Sequence, residues 1–120
     1  MINNIKSRGG YGMNLNDSKL VFVASPYDGD EKQIETVENV IRELKKKKKK
    51  NRKYDMVYIS PLKAFNWLDN TIDKEEMLDY SLKLLTLANE IYVLPEYELS
   101  ESVNQCIGMA KLLGIPITYL

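Results

Sequence analysis

The fold of this chain is decided by residues 19–30, which read KLVFVA followed by SPYDGD. The segment Lys19–Ala24 is a nearly continuous apolar run with two β-branched valines, typical of a strand buried in a parallel sheet. The segment Ser25–Asp30 ends that strand, because proline cannot extend the hydrogen-bonded ladder and glycine and aspartate favour a turn. Apolar residues then recur every three or four positions from Ile34 to Leu44, which predicts an amphipathic helix.

Further strand and helix signals follow along the chain. Capping-box spacings predict that one helix begins at Asp73 and runs to about Ala88, and that another begins at Ser102 and ends before Gly114. Short apolar runs rich in β-branched and aromatic residues predict three more strands, at Asp55–Ile59, Glu90–Leu94 and Ile115–Leu120.

The resulting order is β-α-β-α-β-α-β. It predicts a three-layer α/β/α sandwich with a small parallel sheet, of the Rossmann or flavodoxin kind. Such sheets bind ligands outside the carboxyl ends of their strands, where the loops Ser25–Asp30, Ser60–Asn70 and Pro95–Ser102 are predicted. The backbone N–H groups of the first loop are expected to receive a phosphate or another anion, although a plain strand-to-helix turn explains the same residues.

The composition describes an ordinary globular domain. The chain has 120 residues, 44% hydrophobic and 28% charged, with a formal net charge of zero and no long apolar run. It has no histidine and a single cysteine, Cys106, which excludes an internal disulfide and suits the cytoplasm. Neither a metal site nor a cofactor is predicted, so any catalysis would depend on carboxylates, hydroxyls, lysines or the thiol.

Two segments stand apart from this pattern. Residues 1–18 show no periodic apolar spacing and are predicted to form a disordered extension before a domain at residues 19–120. Within it, the segment Arg8–Gly10 is what a purine-rich ribosome-binding site would encode, so Met13 is a candidate for the natural start. The run Lys45–Lys50 is interpreted as a solvated helix end. Binding of a polyanion is the alternative, but nucleic acid is not the predicted partner because no aromatic residues alternate with the lysines.

Three ordered motifs carry more information: Ala24–Asp30, Tyr92–Ser100 and Ala110–Ile117. They read ASPYDGD, YVLPEYELS and AKLLGIPI, and together they resemble the nucleoside 2-deoxyribosyltransferase-like superfamily across residues 19–120. In the second motif, uncharacterised bacterial and phage relatives tend to show Leu-Pro-Gly-Trp-Glu-x-Ser. The resemblance implies the same fold and a nucleoside-type ligand. It also implies a homo-oligomer, because relatives complete their sites across subunits.

The same resemblance implies a catalytic glutamate that this chain lacks. The family pattern Ser/Asp-x-Gly-x-x-x-Glu falls on Ser100, Ser102 and Cys106, so Cys106 stands where the glutamate attacks the sugar. A carboxylate suits that reaction because it both stabilises an oxocarbenium-like transition state and adds to it. The simplest interpretation of Cys106 is core packing of a small residue. Glu98 and Asp79 are the other candidate catalytic residues, and Asp79 resembles an aspartate on the family's second long helix.

Two functional hypotheses follow. In the first, the chain binds a nucleoside, nucleotide or related ribosyl compound without glycosyl transfer, and so sequesters or senses a nucleotide-derived signal, a role compatible with a phage gene. In the second, it is a divergent N-glycosyl hydrolase or deoxyribosyltransferase. The first is favoured, because loss of one glutamate removes the nucleophile and leaves the pocket.

The ligand-binding prediction combines the three loops with aromatic side chains that can stack on a base. Closing the core at the sheet edge is the alternative role for the same aromatic residues. The predicted ligand-binding residues are Ser25, Pro26, Tyr27, Asp28, Gly29, Asp30, Phe65, Trp67, Asp79, Tyr97, Ser100, Ser102 and Cys106.

Overall fold

The computed structural model describes residues 18–47, 54–68 and 70–120. Its strands are β1 (Ser18–Ala24), β2 (Asp55–Ile59), β3 (Glu90–Val93) and β4 (Ile117–Tyr119). Its helices are α1 (Glu31–Lys46), α2 (Pro61–Phe65), α3 (Lys74–Leu85) and α4 (Glu101–Leu113), with a 3-10 turn at Asn66–Leu68 after α2. Residues 1–17 of the predicted extension, with the candidate start Met13, and Lys48–Lys50 of the lysine run lie outside the described residues.

The four strands form one parallel sheet in the order β2-β1-β3-β4. Val21, Phe22 and Val23 of β1 are fully buried, because β1 lies between two strands and helices cover both faces of the sheet. The predicted three-layer α/β/α sandwich is therefore confirmed. Within the described ranges, the helices are too short or too polar to cross a membrane.

The alternation of side chains along β1 separates two apolar clusters. Phe22 belongs to one cluster with Leu85 of α3 and Cys106 of α4. Val23 belongs to the other, on the opposite face, with Val37 of α1. Burying each large apolar side chain contributes roughly 1.5–3 kcal/mol, so these two clusters supply most of the energy that holds α1 and α4 on opposite faces.

The prediction of a loop at Ser60–Asn70 is wrong for most of its length, because α2 and the 3-10 turn occupy residues 61–68. Ser60 caps α2, its Oγ accepting a hydrogen bond from Lys63 N at 3.1 Å. Pro61 follows in the first turn, where its missing N–H costs nothing. Leu62 is buried in the cluster of α1, so a tertiary contact holds this short helix in place.

The helix α4 begins before the position predicted from the capping box at Ser102. Its N-cap is Ser100, whose Oγ accepts a hydrogen bond from Val103 N at 3.3 Å. The predicted end is confirmed, because Gly114 follows the helix with a φ of 71°. The remaining predicted ends differ by up to three residues, as is usual where helices and strands fray.

Candidate functional site

The chain reverses its direction across the sheet between β1 and β3. From β1 it crosses through α1 to β2 on one side, and from β3 it crosses through α4 to β4 on the other. Leu94 N donates to Ala24 O at 3.0 Å and holds the two strands together up to this point. Beyond it the two loops lead to α1 and α4, which pack on opposite faces of the sheet. At such a switch point parallel α/β sheets bind ligands, in a crevice outside the strand ends.

Ser25 begins the loop after β1. Its Oγ is buried and has no hydrogen-bond partner among the described residues. Buried hydroxyls are nearly always hydrogen-bonded, so this one is an unsatisfied polar group at the switch point between β1 and β3. Further along the loop, Asp28 N donates to Gln33 Oε1 at 2.9 Å, and Gly29 has a φ of 102°, which side chains disfavour.

The start of α1, where the sequence predicts that a phosphate binds, is capped by a side chain of the loop itself. Asp30 is the N-cap, and its Oδ1 accepts a hydrogen bond from Lys32 N at 2.9 Å. Its carbonyl accepts a second bond, from Gln33 N, also at 2.9 Å. A carboxylate therefore already occupies the position at the positive end of the helix dipole that an anionic ligand would take.

The loop between β3 and α4 is held by a different set of contacts. Ser100 N donates to Tyr97 O at 2.8 Å and closes a turn. The side-chain amide of Asn104 donates to the carbonyls of Tyr97, Glu98 and Ser100 at 3.3, 3.1 and 2.9 Å. Glu96 has a φ of 65°, in the left-handed region that favours glycine. This loop is ordered by hydrogen bonds despite a strained residue.

The first turns of α4 present two different surfaces. The hydroxyls of Ser100 and Ser102 lie 3.4 Å apart, and Ser102 is exposed. Cys106, one turn beyond Ser102, is 4% exposed and packs in the cluster that contains Val103 and Phe22. Burial raises the pKa of the Cys106 thiol from 9.0 to about 11, so the thiol is neutral at physiological pH. Cys106, a candidate catalytic residue in the sequence, is thus a core residue.

Carboxylates surround the crevice. We call the following exposed residues of the two loops and adjoining helix turns the acidic rim: Asp28, Asp30, Glu31, Glu96, Glu98 and Glu101. Lys32 is the nearest cation along these segments, so residues 25–32 and 94–101 together carry a formal charge of 1 − 6 = −5. A field of this sign repels anions and favours uncharged or cationic ligands.

The structure distributes the predicted aromatic residues over several elements. Tyr97 lies beside Tyr119 of β4, with ring centroids 5.4 Å apart. Phe65 packs edge-on against Tyr80 of α3 at 5.5 Å. Trp67 is 73% exposed, and its Nε1 donates to a carbonyl of α2 at 2.8 Å.

Three more predicted residues lie at the surface or near it. Tyr27 is 40% exposed and follows the half-buried Pro26. Asp79 is an exposed residue of α3. The described contacts thus pack Phe65 against α3 and tie Trp67 to α2, while Leu94 N and Ala24 O join the two loops where they begin.

Sequence reasoning missed two residues that shape the loops. Gln33 stands three positions after Asp30, a capping-box spacing that was available in the sequence, although its side chain accepts from Asp28 N instead. Asn104 carries no comparable signal, because its partners depend on the path of the loop before α4.

Comparison with known proteins places the chain in a family. It belongs to the family described as Domain of unknown function (DUF7768), whose profile matches residues 19–120. Among solved structures, the 2-desoxiribosyltransferase from Leishmania mexicana is similar, with a TM-score of 0.60 and 19% sequence identity. The match covers 85% of this chain and 63% of that one, so this chain spans less than two thirds of that protein.

At this identity the likeness is one of fold, and it confirms the resemblance to the deoxyribosyltransferase superfamily at that level. No curated protein shows a significant match to the chain.

Proposed function

We propose that this member of the DUF7768 family binds a nucleoside or a related ribosyl compound and does not transfer its glycosyl group. The observation that carries the proposal is the switch point between β1 and β3, where two loops diverge at the buried, unpartnered hydroxyl of Ser25. The fold is shared with a 2-desoxiribosyltransferase, which makes a sugar-bearing ligand the class of compound expected in this crevice. The role would be to sequester or sense a nucleotide-derived signal in the cytoplasm.

The polar groups of the crevice suit a sugar. The hydroxyl of Ser25 can exchange hydrogen bonds with a ribose hydroxyl at the end of β1. The hydroxyls of Ser100 and Ser102, 3.4 Å apart, offer a second set of donors and acceptors from α4. The ring of Tyr97, supported by Tyr119, provides a surface on which a base can stack.

The absence of glycosyl transfer rests on Cys106. Formation of a covalent glycosyl intermediate needs an anionic nucleophile at the anomeric carbon. The thiol at this position is 4% exposed, and burial raises its pKa to about 11, so it lacks both access and charge at physiological pH.

The acidic rim sharpens the choice of ligand. A nucleoside is uncharged, whereas a nucleoside monophosphate brings about two negative charges into a field of the same sign. Asp30 also occupies the helix terminus where a phosphate would otherwise bind. The proposed ligand is therefore a nucleoside, with phosphorylated forms bound less well.

Calorimetric titration with adenosine, 2′-deoxyadenosine and AMP, and with the other common nucleosides, tests this proposal. We expect at least one nucleoside to bind, and its monophosphate to bind at least tenfold more weakly, equivalent to about 1.4 kcal/mol. The ratio of the two dissociation constants, monophosphate over nucleoside, should decrease in high salt, which screens the acidic rim. It should also decrease in a Glu98→Gln/Glu101→Gln double variant, which removes two of the rim's charges. Glu43→Gln is the matched control, because Glu43 is an exposed carboxylate near the far end of α1.

Chromatography of the same samples separates binding from catalysis. Recovery of the intact nucleoside supports the proposal. Free base released above background, and lost in Glu98→Gln or Asp79→Asn, would replace it with the alternative of a divergent N-glycosyl hydrolase or transferase. Failure of every nucleoside to bind would overturn both.

The proposal includes self-association through the β4 end of the sheet. β4 is the outer strand of the described sheet, and Tyr119 and Leu120 at its end are 50% and 43% exposed. We expect a homo-oligomer in sedimentation velocity that Leu120→Lys weakens. The exposed Leu87→Lys, at 70% exposure in the turn after α3, is the control. A monomer at micromolar concentration would contradict this part of the proposal.

A further inference from the structure

The side chain of Asn104 makes an unusual set of contacts for an exposed helical residue. Its Nδ2 lies 2.9 Å from Ser100 O, 3.1 Å from Glu98 O and 3.3 Å from Tyr97 O. The amide has two protons, so these are shared among three carbonyl oxygens of one loop. The hydrogen bonds of a single side chain of α4 thus hold the last part of the β3–α4 loop against the helix.

Tyr97 of the same loop packs beside Tyr119 and against the buried cluster of α4, and beyond it few contacts hold the tip of the loop. Leu99 is 99% exposed, so no apolar burial fixes the residues between Tyr97 and Ser100. One backbone bond, from Ser100 N to Tyr97 O at 2.8 Å, closes the turn. Just before it, Glu96 adopts a left-handed conformation at φ 65°, which a non-glycine residue keeps only when its surroundings impose it.

We propose that Asn104 is a positioning residue that orders this loop for ligand binding, an inference that rests on the proposed function. By tying down the carbonyls of Tyr97 and Glu98, it holds their side chains at the crevice before a ligand arrives. A loop already ordered in the free protein loses less conformational entropy on binding, and this raises affinity without any contact between Asn104 and the ligand.

The chemistry of the contact explains why an asparagine suits this position. Three converging carbonyl oxygens need a donor, and a carboxamide donates two hydrogen bonds without adding a charge. Asn104→Asp keeps the size and shape of the side chain but replaces the donor with an acceptor. It therefore turns three attractions into repulsions, a larger change than the simple loss of contacts in Asn104→Ala.

Hydrogen exchange of the free protein tests the positioning role directly. We expect the backbone amides of residues 97–100 to exchange at least fivefold faster in Asn104→Asp, with a smaller acceleration in Asn104→Ala. Gln105→Ala, at the neighbouring exposed position of α4, should leave the rates unchanged. Peptides from β1 serve as an internal reference, since a general loss of stability would accelerate them as well.

Calorimetric titration with adenosine and 2′-deoxyadenosine completes the test. We expect Asn104→Asp to weaken nucleoside binding at least fivefold while the melting temperature and the exchange of β1 stay close to those of the parent protein. Unchanged exchange at residues 97–100, or accelerated exchange with unchanged affinity, overturns the inference. If the parent protein binds no nucleoside while the variant loop exchanges faster, the proposed function fails and the ordering of the loop by Asn104 is supported.

Discussion

The loops after β1 and β3 leave adjacent strands at the same edge of the sheet, yet they are held in different ways. In the β1–α1 loop the positive φ falls on Gly29, and the hydrogen bonds of Asp30 and Gln33 join groups within five residues of each other. In the β3–α4 loop the positive φ falls on Glu96, and the amide of Asn104 reaches back as far as seven residues.

The difference shows two ways to shape a binding loop. The first loop takes its form from local preferences, because glycine accepts the left-handed backbone and aspartate caps the helix that follows. The second loop depends on α4 being docked on the sheet, since Asn104 can reach the loop only from that helix. The buried residues Val103 and Cys106 hold α4 in place, so the second loop is coupled to the core.

The largest expected effect tests whether α4 packs against the sheet with Cys106 buried. Burial raises the pKa of the Cys106 thiol from 9.0 to about 11. Between these values the unfolded chain loses its thiol proton while the folded chain keeps it, so rising pH favours unfolding. We expect the free energy of unfolding to fall by about 2 kcal/mol more in the parent protein than in Cys106→Ala between pH 8.5 and 11. Urea unfolding at several pH values measures this difference.

All the other ionisable groups are common to both proteins, so the comparison isolates the thiol. Below about pH 8 the difference in the free energy of unfolding between parent and variant should be constant. Parallel curves up to pH 11 would mean that the thiol is not buried in solution, and that α4 does not tie the second loop to the core.

The next effect concerns the two positive φ angles. Gly29→Ala should lower the free energy of unfolding by about 1–2 kcal/mol through backbone strain alone, because nothing lies within 4 Å of the added Cβ. Glu96→Gly should raise it by about 0.5 kcal/mol, because relief of strain exceeds the entropy that glycine adds to the unfolded chain. Thermal and urea unfolding measure both.

Gly108→Ala provides the matched control, since this glycine also has open space around the added Cβ but lies within α4. There the same substitution should stabilise the protein by about 1 kcal/mol, because alanine is the better helix former. If Gly29→Ala were neutral and Glu96→Gly destabilising, the contrast between a locally shaped loop and a strained loop would be wrong.

Much of the fold could be predicted from the sequence, because its signals are local. The apolar run of β1 and the stripe from Ile34 to Leu44 each report a repeat within a few residues. The 61–68 region could not be predicted in this way. Its helix α2 is short and depends on the burial of Leu62 against α1. That contact joins residues far apart in the chain.

The candidate site likewise has features that local sequence signals predict and features that depend on contacts between distant residues. The positions of the loops at the strand ends followed from the order of elements, which was readable in the sequence. The unpartnered hydroxyl of Ser25, the three bonds of Asn104 and the side to which Cys106 points were not, because each depends on groups that only the folded chain brings together.

By itself, the sequence determined the alternation of strands and helices and the parallel sheet. Only the tertiary structure decided that the chain reverses between β1 and β3 and that the thiol of Cys106 lies in the core. The physical reason is the range of the interactions. Periodicity and capping act between neighbours, whereas strand order and burial join residues as distant as Leu20 and Asn89, whose backbone N–H and side-chain oxygen meet at 2.7 Å.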